Sequence, residues 1–499
     1  MKENVLLTNY RNLSLEELNK LPVKELAQAL HEAIKEWDKL NQRVNQDSTN
    51  SNQAPSTDSP EAKAKRKAEK ETVPQKHGTR KQGAQQGHEA VSRPLLPLRE
   101  GDIIIDSKPE ICAHCGELLD GSSDPEPYRQ QQYDIEITRR TTEYRKHKLV
   151  CPCCGETTEG ILPEEANKSA YSADIAALVV ILTGLFQISR RKTKLFMEEV
   201  IGIPISVGSV SNLEKEMTEA TLPVMEEIEK TAQSAEHGNA DETRYGMKNG
   251  KQGWLWVLVT PYAVLFRLFL GRGQEYASKL FGYFAGILTS DRWCGYNQYP
   301  KEKRQLCWAH LIRDFKAMSE SGVPGGEAIG IALKKEARAM FRLWHRFKKW
   351  KVNQEKQGIK VSMTVLESQM QAIGDRIRAL LEEGAKRGVP KCGTILKVEP
   401  LLWTFTKNEG IEPTNNAAEQ NIRPAVLWKK RSFGVESERG GQYVESMLSI
   451  WATSRRNGVN PIVFLRELIR SYRANAPVPR SLSDIRGYGF HFPPLISVF

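Results

Sequence analysis

The sequence predicts a multidomain chain of mixed α+β and α/β class, on three observations. Its 499 residues correspond to about three domains at roughly 150 residues each. A cluster of strand-like apolar runs lies in one central stretch, residues 233–315, between segments of helical periodicity. Five of the eight cysteines crowd into residues 112–154, which suits a metal site in a reducing compartment better than a disulfide framework.

Composition narrows the class of partner. Apolar residues make up 39% and charged residues 27%, with a mean hydropathy of −0.50, as in soluble globular proteins. The longest apolar stretch, Ile175 to Ile188, is interrupted by Thr183, Gly184 and Gln187 and is too short for a bilayer core of about 30 Å. Met1-Lys2-Glu3-Asn4 opens no secretory leader, so a cytoplasmic, nucleoid-associated location is expected and no membrane partner. A net charge of +11 and a pI near 9.1 favour a polyanion, with nucleic acid first among candidates.

The N-terminal elements follow in order. Residues 1–46 carry a heptad seam, with Val23, Leu30, Trp37 and Val44 in one row and Leu26, Ala33 and Leu40 in the other, the pattern of a short coiled coil and of self-association. Residues 47–94 are expected to be a disordered basic linker, since 46–60 hold no large apolar residue. Within it, 61–81 carry eight Lys and Arg against three Glu, an arm suited to tracking phosphates or to solvation alone.

Residues 95–165 read as a zinc-binding module. Cys112-Ala-His-Cys115-Gly116 and Cys151-Pro-Cys-Cys154-Gly155 are two knuckles 35 residues apart. Each short turn aims two thiolates at one point, so Cys112, Cys115, Cys151 and Cys154 are the predicted ligands of a structural Zn²⁺. Cys153 and His114 compete for those places. Tyr133 to Ile137 and Tyr144 to Leu149 alternate like strands between the knuckles.

Residues 166–232 predict three helices, with the turn at Ile201–Ile205 and the start at Ser206–Asn212 resembling a helix-turn-helix DNA-binding region. From 233 the elements are an extended stretch around Asp241, a hairpin (Trp254 to Thr260, Ala263 to Leu270), a helix near Gln274 to Phe284, a strand ending at Asp291 and another at Gln305 to Trp308. That order describes an RNase H-like sheet in which Asp241 and Asp291 sit on adjacent strands. Residues 316–410 form a helical insertion, 411–453 return to the core with Glu419, and 454–499 add a C-terminal helical element.

Beyond these patterns, the motifs Asp241-Glu-Thr243, Ser290-Asp291 followed by Gly295-Tyr296, Cys307-Trp-Ala-His310, Asn415-Asn416-Ala-Ala-Glu419 and Asn457-Gly458-Val-Asn-Pro461 occur in that order after the double Cys-x2-Cys. In this the chain resembles the DDE transposases of the insertion-sequence-66 type, over residues 95 to 475. The resemblance implies that Asp241, Asp291 and Glu419 are a metal-binding catalytic triad, and that accessory proteins of the same element take part. The family has Asp before the Asn pair and Arg after the Glu, where this chain has Thr414 and Gln420.

The chemistry points to the same acids. Phosphodiester hydrolysis and strand transfer use two divalent ions about 3.5–4 Å apart, and hard carboxylates suit Mg²⁺ or Mn²⁺. Arg423, Lys429, Lys430 and Arg431 follow the last acid and are candidates for double-stranded DNA, both element ends and target. His310 is a candidate phosphate contact or a histidine satisfied inside the fold. The rivals are a zinc-containing DNA-binding protein without catalysis, and an RNase H-like structure-specific nuclease.

Overall fold

The structure, a computed structural model, describes residues 22–44, 46–50, 58–72, 95–98, 100–121, 124–135, 137–163, 169–247, 250–477 and 479. It divides into two compact units, residues 63–141 and residues 1–62 with 142–499. Residues 1–21 of the expected coiled coil, and Lys76, Arg80 and Lys81 of the basic arm, lie outside the described residues. Among the described residues no helix is long and apolar enough to cross a membrane.

The smaller unit holds most of the helix Pro60–Thr72 and little regular structure besides the first knuckle. There Cys112 N–H donates to the Glu117 carbonyl at 2.8 Å and Gly116 N–H to the Cys112 carbonyl at 2.9 Å. Gly116 turns the chain at φ +77°, a conformation open to glycine without strain. Tyr133 to Ile137 form no strand in the described residues, and their apolar side chains are exposed. Alternation alone does not make a strand where no neighbour covers its apolar face.

In the larger unit α1 (Val23–Val44) carries the heptad residues, and Val23, Leu30, Trp37 and Leu40 are exposed. Helix α2 (Pro60–Thr72) begins in the segment expected to be linker, where Ala, Lys and Glu supply helix propensity without an apolar face. Strands β1 (Lys148–Val150) and β2 (Thr157–Glu159) pair antiparallel around the second knuckle. Of the expected strand from Tyr144 to Leu149, only Lys148 and Leu149 are strand, continued by Val150.

The helical segment begins with α3 (Ala173–Val180), capped by Ser172 and continued by a wider turn at Ile181–Leu185. Helices α4 (Arg190–Glu199), α5 (Val207–Ala220) and α6 (Leu222–Gln233) follow. Ser189 and Ser206 cap α4 and α5 by accepting from Lys192 and Ser209 N–H, which satisfies otherwise orphaned donors.

The sheet has the order β5-β4-β3-β6-β7. Strands β3 (His237–Gly246), β4 (Gln252–Val259) and β5 (Val264–Phe269) form an antiparallel meander. Helix α7 (Gln274–Phe281) then crosses to β6 (Ile287–Ser290), parallel to β3, and β7 (Arg304–Leu306) lies parallel to β6. Leu255, Trp256, Val257, Leu258 and Phe266 are fully buried, so the meander is covered by helices on both faces.

Beyond the sheet, α8 (Trp308–Ser319), α9 (Gly326–Lys356) and α10 (Thr364–Lys386) build a second apolar core with the short α11 (Cys392–Leu396). Ile329, Leu333, Ala337, Met340, Trp344 and Phe347 face it from α9, and Leu366, Met370, Ile373, Ile377 and Leu381 from α10. The chain returns to the sheet in α12 (Asn416–Ser432), α13 (Glu438–Arg456) and α14 (Pro461–Arg473).

Helix α13 closes the open edge of β5 with side chains. Val264 N–H donates to Thr453 Oγ1 at 3.0 Å, Phe266 N–H to Ser449 Oγ at 2.9 Å and Leu268 N–H to Glu445 Oε1 at 2.7 Å. Acceptors four residues apart on the helix thus meet donors two apart on the strand. An edge so covered offers no ladder to another chain.

Candidate active site

Asp241 is the fifth of the ten residues of β3. Its strand outlasts β6: the parallel pairing stops at Asn239 opposite Thr289, while β4 pairs with β3 as far as Gly246. Continuing the register by two residues sets Asp241 level with Asp291, and period-two alternation turns both to one face. Asp291 Oδ1 accepts from Trp293 N–H at 2.9 Å, which holds the carboxylate at the turn after β6. Asp241 Oδ1 accepts from Glu242 N–H at 2.9 Å.

Glu419 comes from the first turn of α12, and the segment before that helix is stitched to the sheet. Trp308 N–H donates to the Pro413 carbonyl at 2.9 Å. Asn415, 1% exposed, donates its backbone N–H to Cys307 Sγ at 3.1 Å and its side-chain amide to the Ala240 carbonyl at 2.8 Å. The helix of Glu419 is therefore fixed to the residue preceding Asp241. Sequence reasoning noted the Asn pair as a motif and missed this role, whose signal was a polar residue at a helix start.

Electrostatics mark the same place. Burial, then the charges of Glu242, Asp291 and Glu419, push Asp241 well above the usual carboxylate range. Glu242 is raised to about 7, by burial first and then by Asp291. Its partners are Tyr296, whose hydroxyl donates to it, and Arg272, whose guanidinium lies 4.9 Å from the Trp254 ring and 4.3 Å from the Trp293 ring. That network accounts for Glu242 structurally and leaves Asp241 without an arginine of its own kind.

His310 Nδ1 and Arg313 Nη2 each stand 3.7 Å from Glu419 Oε1. His310 Nδ1 and Glu419 Oε1 are buried and make no hydrogen bond, and burial lowers the His310 pKa. Cys307, His310 and Glu419 bring one ligand atom each within 4.8 Å of one another. Burial pushes the Cys307 thiol up to about 11, and it accepts from Asn415, so it serves as a structural thiol. Among the described residues Asp241, Asp291 and Glu419 form no group at that spacing. Arg304, fully covered, donates to Ser290 Oγ at 3.2 Å and to the Asp291 carbonyl at 3.3 Å, bracing the turn from below.

Of the predicted DNA contacts, Arg423, Lys430 and Arg431 are exposed. Lys429 is half-buried and donates to the Arg244 carbonyl at 2.7 Å. In each knuckle, backbone N–H groups turn toward the first sulfur: those of Cys115 and His114 lower the Cys112 pKa, and those of Cys154 and Cys153 lower that of Cys151. A groove of about 450 Å³ lined by Gln233, Glu236, Tyr283 and Lys303 lies at the start of β3 and β6, the opposite end from the acids.

Fold and site together define a protein of mixed sheet and helix with carboxylates gathered at the end of β6 and beside it on β3. The model of the IS66 transposase family matches residues 168–443, and the chain belongs to that family. Residues 7–94 match a second family model, one of unknown function. Two relatives are uncharacterized proteins of Sinorhizobium fredii (strain NBRC 101917 / NGR234). Protein y4qI is 25% identical over 46% of this chain and 46% of its own length. Protein y4hP is 23% identical over 69% of this chain and 68% of its own length. The chain thus spans about half the length of the first.

Proposed function

We propose that the chain is a DDE transposase with an RNase H-like core, which cuts element ends to expose a 3′ hydroxyl and joins that hydroxyl to target DNA. The observation that carries this reading is the Asn415 bond to Ala240, which holds the helix of Glu419 against the strand of Asp241. Asp241, Asp291 and Glu419 are the residues that would hold two Mg²⁺ or Mn²⁺ ions. The donor set fits: hard oxygens, one of them buried without a hydrogen bond, and a carboxylate raised by burial and then by its acidic neighbours.

Bound there, the ions supply charge at the attacking and leaving oxygens. The chain's own part is placement. The β3–β6 register aligns two acids, Asn415 delivers the third, and His310 and Arg313 face Glu419 from α8, where a phosphate oxygen would meet the Arg313 charge and the His310 ring. Arg423, Lys430 and Arg431 would hold the duplex beyond the cut. The paired thiols of each knuckle, Cys112 with Cys115 and Cys151 with Cys154, are suited to structural Zn²⁺. Self-association through α1 would pair two DNA ends.

The test is strand transfer by the purified chain on duplexes bearing the ends of its element, in Mg²⁺ or Mn²⁺. Asp241→Asn, Asp291→Asn and Glu419→Gln are expected to abolish cutting and joining while duplex binding persists. Cutting without joined products would favour a nuclease, and salt-sensitive binding without any metal-dependent cutting would favour a DNA-binding protein.

A further inference from the structure

We infer that Phe433 is a wedge that stacks against a DNA base and opens one base step near the cleaved phosphodiester; the inference rests on the transposase reading above. Phe433 stands at the C-terminal end of α12 with φ +59° and is 88% exposed. A bulky side chain at such an angle is an outlier, and strain of this kind gathers at ligand contacts. The next residue, Gly434, is itself left-handed, so the sequence had a glycine at hand and placed the ring one position earlier.

The loop that carries the ring is clamped. Val435 N–H donates to the Gly246 carbonyl at 3.0 Å, and Met247 pairs with Val435 in a parallel bridge. A Cβ on Gly246 would stand 2.5 Å from the Phe433 carbonyl oxygen, and one on Gly434 2.1 Å from the Gly246 oxygen. Only glycine permits this approach of two backbones. Gly246 ends the strand of Asp241, and Phe433 ends the helix of Glu419, so the ring is mounted on both supports of the site.

Its surroundings select the ligand. Arg423, Leu427 and Lys430 lie exposed along one stripe of α12, at the i, i+4, i+7 spacing of a single helix face. Arg431 is exposed, and its guanidinium reaches the carbonyl of Phe186, a second exposed aromatic, at 3.5 Å. An apolar ring flanked by cations matches a base face flanked by phosphates. Along α12 the ring is 14 residues beyond Glu419, roughly 21 Å at 1.5 Å per residue. At about 3.4 Å per base step, that separation spans at most about six base pairs.

The experiment scans 2-aminopurine through duplexes bearing the element's end, with the full chain in Ca²⁺ so that binding is read without cutting. Fluorescence is expected to rise at one or two adjacent positions. Phe433→Gly removes the ring and relieves the backbone, so its melting temperature should equal or exceed the parent's. It should lose the rise, bind about tenfold more weakly, and recover cutting in Mg²⁺ on a duplex mismatched at that step. Phe433→Trp should keep the rise. No rise at any position with bound parent, or an equal rise with Phe433→Gly, overturns the inference. Full joining by Phe433→Gly on paired DNA also overturns it and leaves the transposase reading intact. A rise with the parent but undiminished cutting by Asp241→Asn overturns that reading instead.

Discussion

The side-chain amide of Asn415 reaches across 175 residues of sequence to donate to the Ala240 carbonyl at 2.8 Å, one residue from Asp241. Its backbone N–H meanwhile points at Cys307 Sγ. One buried residue thus ties together the central strand, the turn after β7 and the helix of the last acid.

Replacing it should be costly on two counts. Asn415→Ala leaves a buried carbonyl unpaired, for a loss of about 1–3 kcal/mol measurable by urea unfolding. The freed helix start also misplaces Glu419, so metal-dependent cutting should fall by more than tenfold, while duplex affinity changes little.

The carboxylate cluster should be a source of instability that divalent ions relieve. Asp241 is disfavoured as an anion by burial and by three neighbouring acids. Asp241→Asn is therefore expected to raise the melting temperature in the absence of metal, an instance of stability gained where function is lost. Mg²⁺ or Mn²⁺ at ten times its dissociation constant should stabilise the parent by about 1.4 kcal/mol. A melting scan with and without metal should show that gain in the parent and none in the variant.

Removing a cap on the sheet edge should expose it. Ser449→Ala leaves Phe266 N–H, on a fully buried residue, without its acceptor, at about 1–3 kcal/mol. Ser449→Ala combined with Thr453→Val frees two alternate donors of β5. Light scattering on mild heating should reveal faster aggregation than in the parent, and an unchanged rate would refute the protective role.

The apolar row of α1 should drive association. Leu30 and Trp37 are 64% and 68% exposed and stand one heptad apart. Leu30→Glu with Trp37→Glu should convert an assembled species to a monomer in sedimentation equilibrium. It should leave the thermal unfolding of the sheet unchanged.

Much of this organisation was legible because it is local. The apolar periodicity of Ile329 to Phe347 and of Leu366 to Leu381 defines two helices and their buried faces without reference to the rest of the chain. Asp241 could be placed on β3 and Asp291 at the end of its neighbour β6 because strand order and alternation fix both. Features that depend on distant partners were hidden. Ser449 and Thr453 look like ordinary polar helix residues until β5 lies beside them. Asn415 reads as a helix start until Ala240 arrives. Tyr133 to Ile137 show the opposite error, a strand pattern with no strand to pair with.

The order in which these parts leave the ribosome has a consequence of its own. Asp241 and Asp291 are synthesised long before Glu419, with helices α8 to α11 between them and α12. The acceptors that seal β5 emerge later still, from Glu445 to Thr453. A chain that stops short of residue 419 carries two acids, lacks the third, and displays an open strand edge that marks it for aggregation or proteolysis. A chain cut short before residue 445 therefore also lacks the side chains that cover β5.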